Sequence, residues 1–514
     1  MSAGPRDVVL VLSGHGCQWD GMAVELLEAS PVFAKHLRIC EAALGPYVDW
    51  SLLDVLRGAP SAPRLQRVDV VQPALFAVTV SLAELWRACG VRPAALVGHS
   101  QGEIAAVHLA GGLSLEDAAR VVALRSRALL ELSGRGGVVA VAQSVDRLAM
   151  QLTTDFGSPG DRLALAASNG PGSIALSGES QALEELLQVC RAADIRAGRV
   201  AIDYASHSPQ VEQIEVELLD ALSALEPRSA ETQVISTVTG GPLDTLRCDA
   251  GHWYWGERQT VQFEQALCVL LRAGHRRFVE VGPHPVLSNA IQETADSTLD
   301  MQEEVRVVGS LRRGQGSPQR FLAALADVHS SGVEIDWEEA LEQVGSTTRP
   351  ASIAVHDVER GTDGGDSRDG DRDEATARPP LVLRLSATSE SERVRIVLSA
   401  VLAEVGSVLG EPDLPTTSAR LSFRELGLDS SGVVELRNRL RALTGLRLSA
   451  TLVFDHPTPA ALADRVLREL TVTGVDGREA GEREEAGKTE AGERGAGETV
   501  LPAVASRARA PGPE

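Results

Sequence analysis

The chain is poor in several things, and each shortage removes a class of function. Its six cysteines, Cys17, Cys40, Cys89, Cys190, Cys248 and Cys268, form no C-x-x-C pair and no metal-ligand spacing. A disulfide framework and a structural metal site are therefore not expected, and reduced thiols of a cytosol are. No apolar run approaches the ~20 residues needed to cross a bilayer. The N-terminal run Val8 to Leu12 is too short for a signal-peptide core and reads as a first strand. Lysine occurs only at Lys35 and Lys488, so the basic complement is almost all arginine, which reads as codon bias. With 71 acidic residues against 49 basic ones, a formal charge of -22 and no basic stripe, the chain repels nucleic-acid phosphate and anionic lipid. A cytoplasmic enzyme or carrier without nucleic-acid or membrane partners is expected.

What is present is length and pattern. At roughly 150 residues per domain, 514 residues predict three or four folded units. Residues 1–353 alternate short apolar runs (VVLVL, AALV, FVEVG) with helix-like stretches at Pro73–Cys89 and Glu103–Ala110. This predicts an α/β domain with a parallel-sheet core of the α/β-hydrolase kind. Between about residues 136 and 206 the pattern changes to strands around the helical run Ser180–Ala193, as in an inserted ferredoxin-like α+β subdomain. Residues 354–388 contain HDVERGTDGGDSRDGDRDEATAR, which has too little apolar surface to offset its ordering entropy and is expected to be a flexible acidic linker. Residues 389–470 offer only helices, Ser391–Leu409, Val433–Leu443 and Pro459–Leu470, and suit a small all-α, four-helix bundle. The Gly, Glu, Ala and Arg repeats after residue 470 predict a disordered tail over 471–514.

The strongest local signal is GHSQG, Gly98–Gly102, between the strand-like AALV and the helix-like EIAAVHLA. G-x-S-x-G in strand–turn–helix context is a nucleophile elbow. The glycines allow the sharp turn, Ser100 is the candidate nucleophile, and the N–H of Gln101 faces a developing oxyanion at a positive helix end. His207 in YASH follows a strand-like segment and is the candidate base, while His99, beside the nucleophile, is more simply a packed supporting residue. The loop SGHGCQ allows the backbone N–H of His15 to approach as a second oxyanion donor. Arg125 in ALRSRAL has a planar guanidinium able to grip a carboxylate bidentately. By residue type alone a surface salt bridge is the commoner role.

The segments GHGCQWDGM, RVDVVQPALFAV, GHSQGEIAA, ALRSRAL, NGPGSIALSG, YASH and EVGPHPVL, in that order, resemble the acyltransferase domain of modular polyketide synthases. FRELGLDSSGVVELRNRL and TLVFDHPTPAALA resemble the acyl carrier protein of the same synthases. The resemblance implies that Ser100, deprotonated by His207, attacks an acyl-CoA thioester, with backbone N–H groups of His15 and Gln101 as the oxyanion hole. It implies that the base is oriented by a main-chain carbonyl near EVGPHPVL, and that Arg125 pairs with the free carboxylate of a malonyl-type substrate. Tyr204 and Ser206 of YASH, with Gln72 of RVDVVQP, resemble the methylmalonyl-selecting form; Ser206 leaves room for an α-methyl, a difference of only about 1–3 kcal/mol. Ser430 of GLDS matches the serine that carries covalent 4′-phosphopantetheine, placed there by a phosphopantetheinyl transferase. A downstream ketosynthase or synthase module is the implied partner. Two departures stand out: Ser13 and His15 occupy the usual Pro and Gln of PGQGxQ, and Ser431 follows the modified serine where a large aliphatic residue is usual. Three alternatives stay open: a loading didomain for a monocarboxylic acyl-CoA such as propionyl-CoA, a serine hydrolase or thioesterase, and a non-catalytic scaffold.

Overall fold

Val8–Leu12 is buried at every position, as required of a strand covered on both faces. The computed structural model describes residues 8–148, 162–300, 303–346, 390–409, 414–428, 430–446, 448 and 452–470. The described residues form eleven strands in chain order: β1 (Val8–Leu12), β2 (Pro93–Gly98), β3 (Gly137–Val141), β4 (Leu163–Gly170), β5 (Ser173–Gly178), β6 (Ala197–Arg199), β7 (Gln233–Ser236), β8 (Gly241–Pro242), β9 (Val261–Gln262), β10 (Arg277–Val281) and β11 (Arg306–Gly309). The larger sheet has the order β11-β10-β1-β2-β7-β8. All its pairs are parallel except the short edge pair of β7 with β8. This is the parallel-sheet core expected from the sequence, with three strands, β7, β8 and β11, that its apolar runs do not announce.

The helix expected from Pro73 starts earlier and spans Val68–Ala88, with Pro73 inside it. An interior proline costs ~3 kcal/mol, whereas fully burying a valine contributes about 1.5–3 kcal/mol. Val68, Val70 and Val71 are all buried on that first turn, so burial outweighs the missing hydrogen bond. At 21 residues this helix is long and apolar enough to cross a membrane by composition, but 89% of its apolar 18-residue window is buried within the larger domain. It is a core helix.

The smaller sheet runs β6-β3-β5-β4-β9. Four of its strands fall inside the expected 136–206 insertion, and the helix Ser180–Ala192 packs on them through Leu183, Leu186 and Cys190. The fifth does not: β9 pairs in parallel with β4 through Ala167↔Val261 and Ser168↔Gln262. The subdomain is therefore stitched to the main domain by a strand that lies after it in sequence.

Residues 390–470 form the expected helices, now bounded as Glu390–Leu409, Ser430–Thr444 and Pro459–Leu470, with a short fourth helix at Leu452–Asp455. Their core includes Val397, Val401, Leu436, Leu440, Leu462 and Val466. The expected linker 354–388 and tail 471–514 lie outside the described residues. All six cysteines are free thiols.

A tight constraint on the site lies where the helix Gly102–Leu109 crosses β1. A Cβ added at Gly102 would lie 2.1 Å from the Leu12 carbonyl oxygen. Gly102→Ala is therefore expected to lower stability by more than about 3 kcal/mol in a thermal or urea melt. Gly198→Ala, whose Cβ meets nothing within 4 Å, should stay within ~0.5 kcal/mol of the parent.

Candidate active site

β2 ends at Gly98 and the next helix begins at Gly102, leaving three residues to reverse the chain. Ser100 takes a left-handed backbone, φ 52°, a conformation that costs a non-glycine residue ~1–3 kcal/mol and persists only where its surroundings enforce it. Gly98 is part of that enforcement, since a Cβ there would sit 2.2 Å from the backbone nitrogen of Glu103. The turn holds Ser100 Oγ 2.8 Å from His207 Nε2. His207 is left-handed too, φ 55°, so both partners occupy backbone states that are maintained by the fold and not by local preference.

His207 Nδ1 lies 2.8 Å from the Gln259 carbonyl oxygen. A carbonyl only accepts, so Nδ1 carries the proton and Nε2 presents its lone pair to the serine hydroxyl. The orienting carbonyl expected near EVGPHPVL thus comes instead from the segment that leads into β9. The EVGPHPVL loop has another task. Buried Glu280 accepts from Ser13 Oγ at 3.0 Å, Val286 N at 2.6 Å, Leu287 N at 3.0 Å and Ser288 Oγ at 2.7 Å. It therefore anchors the loop that carries His15. Burial pushes the Glu280 carboxyl up, against those hydrogen bonds.

Arg125 is not at the surface. It is 1% exposed on the helix Leu115–Ala128, with Nη1 3.5 Å from Glu257 Oε2 and Nη2 donating at 3.4 Å to Gln72 Oε1. Gln72 Nε2 donates to Tyr204 Oη at 3.0 Å, and Ser206 Oγ donates to Glu257 Oε1 at 2.6 Å. The residues singled out for selectivity, Gln72, Tyr204 and Ser206, thus form one buried chain with Arg125, closed by Glu257. Ser100, Glu103 and Arg125 line one cleft with Val238, His252 and Gly256.

Glu257 was not visible in the sequence. In HWYWGERQTVQF it reads as the solvent face of a short helix, yet it is 1% exposed. Asn169 was missed as well; its Oδ1 lies 2.7 Å from His99 Nε2, and His99 also meets the Phe263 ring edge-on. This makes His99 a packed supporting residue. Burial lowers its imidazole to about 4.

At the helix start the N–H groups of Gly102, Glu103 and Ile104 donate to the carbonyls of His99, Ser100 and Gln101, and the Gln101 N–H stands just before them at the positive helix end, the position expected of an oxyanion donor. His15 stands on the opposite loop. Both its ring nitrogens are buried without a partner, and burial lowers it to about 4 despite the attraction of Glu257 and Asp203. Its ring is neutral at pH 7. On the carrier, Ser430 is the first residue of a 15-residue helix. A cavity of about 280 Å³ beside that helix start is lined by Leu428 and Gly432 from the carrier and by His284, Arg312 and Arg313 from the larger domain. Guanidinium groups beside a helix start are a donor set suited to a phosphodiester, so the residues present fit a phosphopantetheine arm.

The comparisons with known proteins agree with this geometry. An acyl transferase domain family matches residues 9–335, and a phosphopantetheine attachment site matches residues 399–466. The first spans more than half of the chain, and the protein belongs to the acyl transferase domain family. It is similar to the spectinabilin polyketide synthase system protein NorC of Streptomyces orinoci, 44% identical over 486 residues, 91% of this chain and 21% of that protein. It is also similar to mycoketide-CoA synthase of Mycobacterium tuberculosis, 50% identical over 342 residues, 66% of this chain and 8% of that protein. The chain spans about a fifth or less of the length of these relatives.

Among solved structures, the acyltransferase domain from module 8 of the salinomycin polyketide synthase superposes with a TM-score of 0.63 at 52% identity, over 66% of this chain and 78% of that one. The loading acyltransferase of the avermectin synthase gives a TM-score of 0.60 at 48% identity, over 63% and 99%. The chain is a polyketide synthase acyltransferase followed by a carrier region that bears covalent 4′-phosphopantetheine.

Burial holds His207 below its ordinary value, with Glu257 and the Gln259 carbonyl opposing. A base must be neutral, and a lowered value keeps it neutral to lower pH. The rate of Ser100 acylation should therefore still exceed half its plateau at pH 6.5 and reach half only at lower pH, measured by rapid quench and intact mass. His207→Ala should reduce that rate by about 10²–10⁴-fold.

Proposed function

We propose that the chain moves a short acyl group from coenzyme A to Ser100 and then to the carrier at Ser430, in polyketide biosynthesis. The observation that supports this best is the 2.8 Å contact of Ser100 Oγ with a His207 whose tautomer is set by Gln259. His207 Nε2 takes the serine proton as Oγ bonds to the thioester carbon. The oxyanion forms against the N–H groups of Gln101 and His15. As the carbon–sulfur bond breaks, His207 returns the proton to the thiolate of coenzyme A, and an ester remains on Ser100. With a second thiol, His207 takes the thiol proton and gives it back to Ser100 as the ester is cleaved. The phosphopantetheine expected on Ser430 supplies such a thiol when bound. The domain limits 1–353 and 389–470 serve this reading, with the segment between them as the tether.

Two acyl groups compete for the pocket. An α-carboxyacyl group, methylmalonyl, is supported by Arg125 and by the small Ser206 beside Tyr204. A monocarboxylic group such as propionyl is favoured by the carboxylate of Glu257, which already faces Arg125. A serine hydrolase would share the Ser100–His207 pair but has no use for a carrier domain. The partner that receives the loaded acyl group would be a ketosynthase of a following module.

Incubating phosphopantetheinylated protein with acyl-CoA and reading intact and peptide masses tests the route. The parent should carry the acyl group on the Ser430 arm. Ser430→Ala should stall with the ester on Ser100, and Ser100→Ala should load neither site. Release of free acid as the main product by the parent and by Ser430→Ala, but not by Ser100→Ala, would establish a hydrolase instead.

A further inference from the structure

The cleft around Ser100 holds a single buried guanidinium, Arg125, and its charge is already answered within the protein. Glu257 Oε2 stands 3.5 Å from Arg125 Nη1, and Glu257 Oε1 is fixed by the Ser206 hydroxyl at 2.6 Å. Both ion-pair partners are about 1–2% exposed, so water does little to screen either. Among the described residues that line the cleft, Arg125 is the one arginine or lysine. The His15 ring lies close enough to feel Glu257, but burial keeps it neutral, as it does His99. Glu103, in the same cleft, adds a second carboxylate, held by Ser236 Oγ at 2.9 Å, Thr237 N at 2.7 Å and His252 Nε2 at 3.0 Å.

A substrate carboxylate entering this cleft would have to share one guanidinium with Glu257 and place two like charges within a few ångströms in a low-dielectric interior. Removing one member of a buried pair is costly, and so is adding a surplus charge to it. An uncharged acyl chain meets no such penalty. The buried Nε of Arg125 has no partner, and a neutral carbonyl oxygen can satisfy it without adding a charge.

We propose that Glu257 is a specificity-determining residue which occupies Arg125 and makes the acyl pocket select an uncharged, monocarboxylic acyl group over an α-carboxyacyl group. This rests on the acyl-transfer reading above and settles its substrate class. Glu257 excludes the second carboxylate by charge, while Ser206 and Tyr204 set the shape.

The test is competition between equal concentrations of propionyl-CoA and methylmalonyl-CoA on the full phosphopantetheinylated chain, with the masses added at Ser100 and Ser430 as readout. The parent is expected to load propionyl in preference. Glu257→Gln keeps the size and an acceptor for Ser206 but removes the charge, and Glu257→Leu removes both. Each should shift the ratio toward methylmalonyl by about tenfold or more; Glu257→Gln leaves Arg125 without its anion and should melt below the parent, so retained propionyl transfer to Ser100 shows that the variant folds. A parent that prefers methylmalonyl, or a ratio unmoved in Glu257→Gln, overturns the proposal while leaving acyl transfer intact. Failure of either thioester to acylate Ser100 in the parent overturns the acyl-transfer reading itself, and the proposal with it.

Discussion

The close crossing of β1 and the helix Gly102–Leu109 is the constraint on which the site depends. Gly102 lies against the Leu12 carbonyl and Gly98 against the backbone of Glu103, with no space for a side chain at either. The three intervening residues can only turn by placing Ser100 in a left-handed state. Strain of this kind needs buried surroundings to hold it, and β1 and β2 supply them with the buried rows Val8–Leu12 and Ala95–Val97. Ser100 is therefore positioned by packing that is complete before any substrate arrives, which is the preorganisation that a nucleophile of acyl transfer requires.

Features with local periodicity or glycine punctuation were legible in the sequence. β1, the elbow, the inserted subdomain and the three long carrier helices all stand close to where their patterns put them. Short strands such as β8 and β9 were not legible, because two residues carry no period and their pairing is decided by distant partners. The same limit applied at the site. Ser100, His207 and Arg125 sit in motifs, and Gln72, Tyr204 and Ser206 came with them. Glu257 had no such signal, because an acidic residue on a short helix is ordinarily a solvated one. Only the position of Arg125, on a helix more than a hundred residues earlier, turns that residue inward. The orienting carbonyl of Gln259 is a backbone atom, so no side-chain pattern could have marked it.

Net charge was an equally poor guide to how the two domains meet. Residues 389–470 are close to electrically balanced, which promises no electrostatic docking. The charges are nevertheless sorted by position. Arg437 and Arg441, one turn apart on the helix Ser430–Thr444, converge on Asp296 of the helix Ser288–Thr298, and Arg312 reaches Glu435 at 3.1 Å. The Arg437 side chain is 2% exposed, and its Nε also donates to the Leu448 carbonyl at 2.6 Å. Burial lowers it from the usual arginine value, against the pull of Asp296. A handful of placed side chains does what an average over the domain conceals.

The segment from Glu257 to Gln262 concentrates more of the chemistry than its length suggests. The Glu257 carbonyl accepts from the His207 backbone N–H at 2.9 Å, and the Gln259 carbonyl accepts from the same residue's ring. Val261 and Gln262 then join the small sheet as β9. Orientation of the His207 ring and subdomain attachment are thus backbone functions of one stretch, and the Glu257 side chain is left to face Arg125. This division separates two properties that share a residue. Changes to the side chain act on the charge of the acyl pocket, while the main-chain bonds that hold His207 are available to any residue that keeps the local helix end. Substrate preference can therefore vary at position 257 without dismantling the serine–histidine pair.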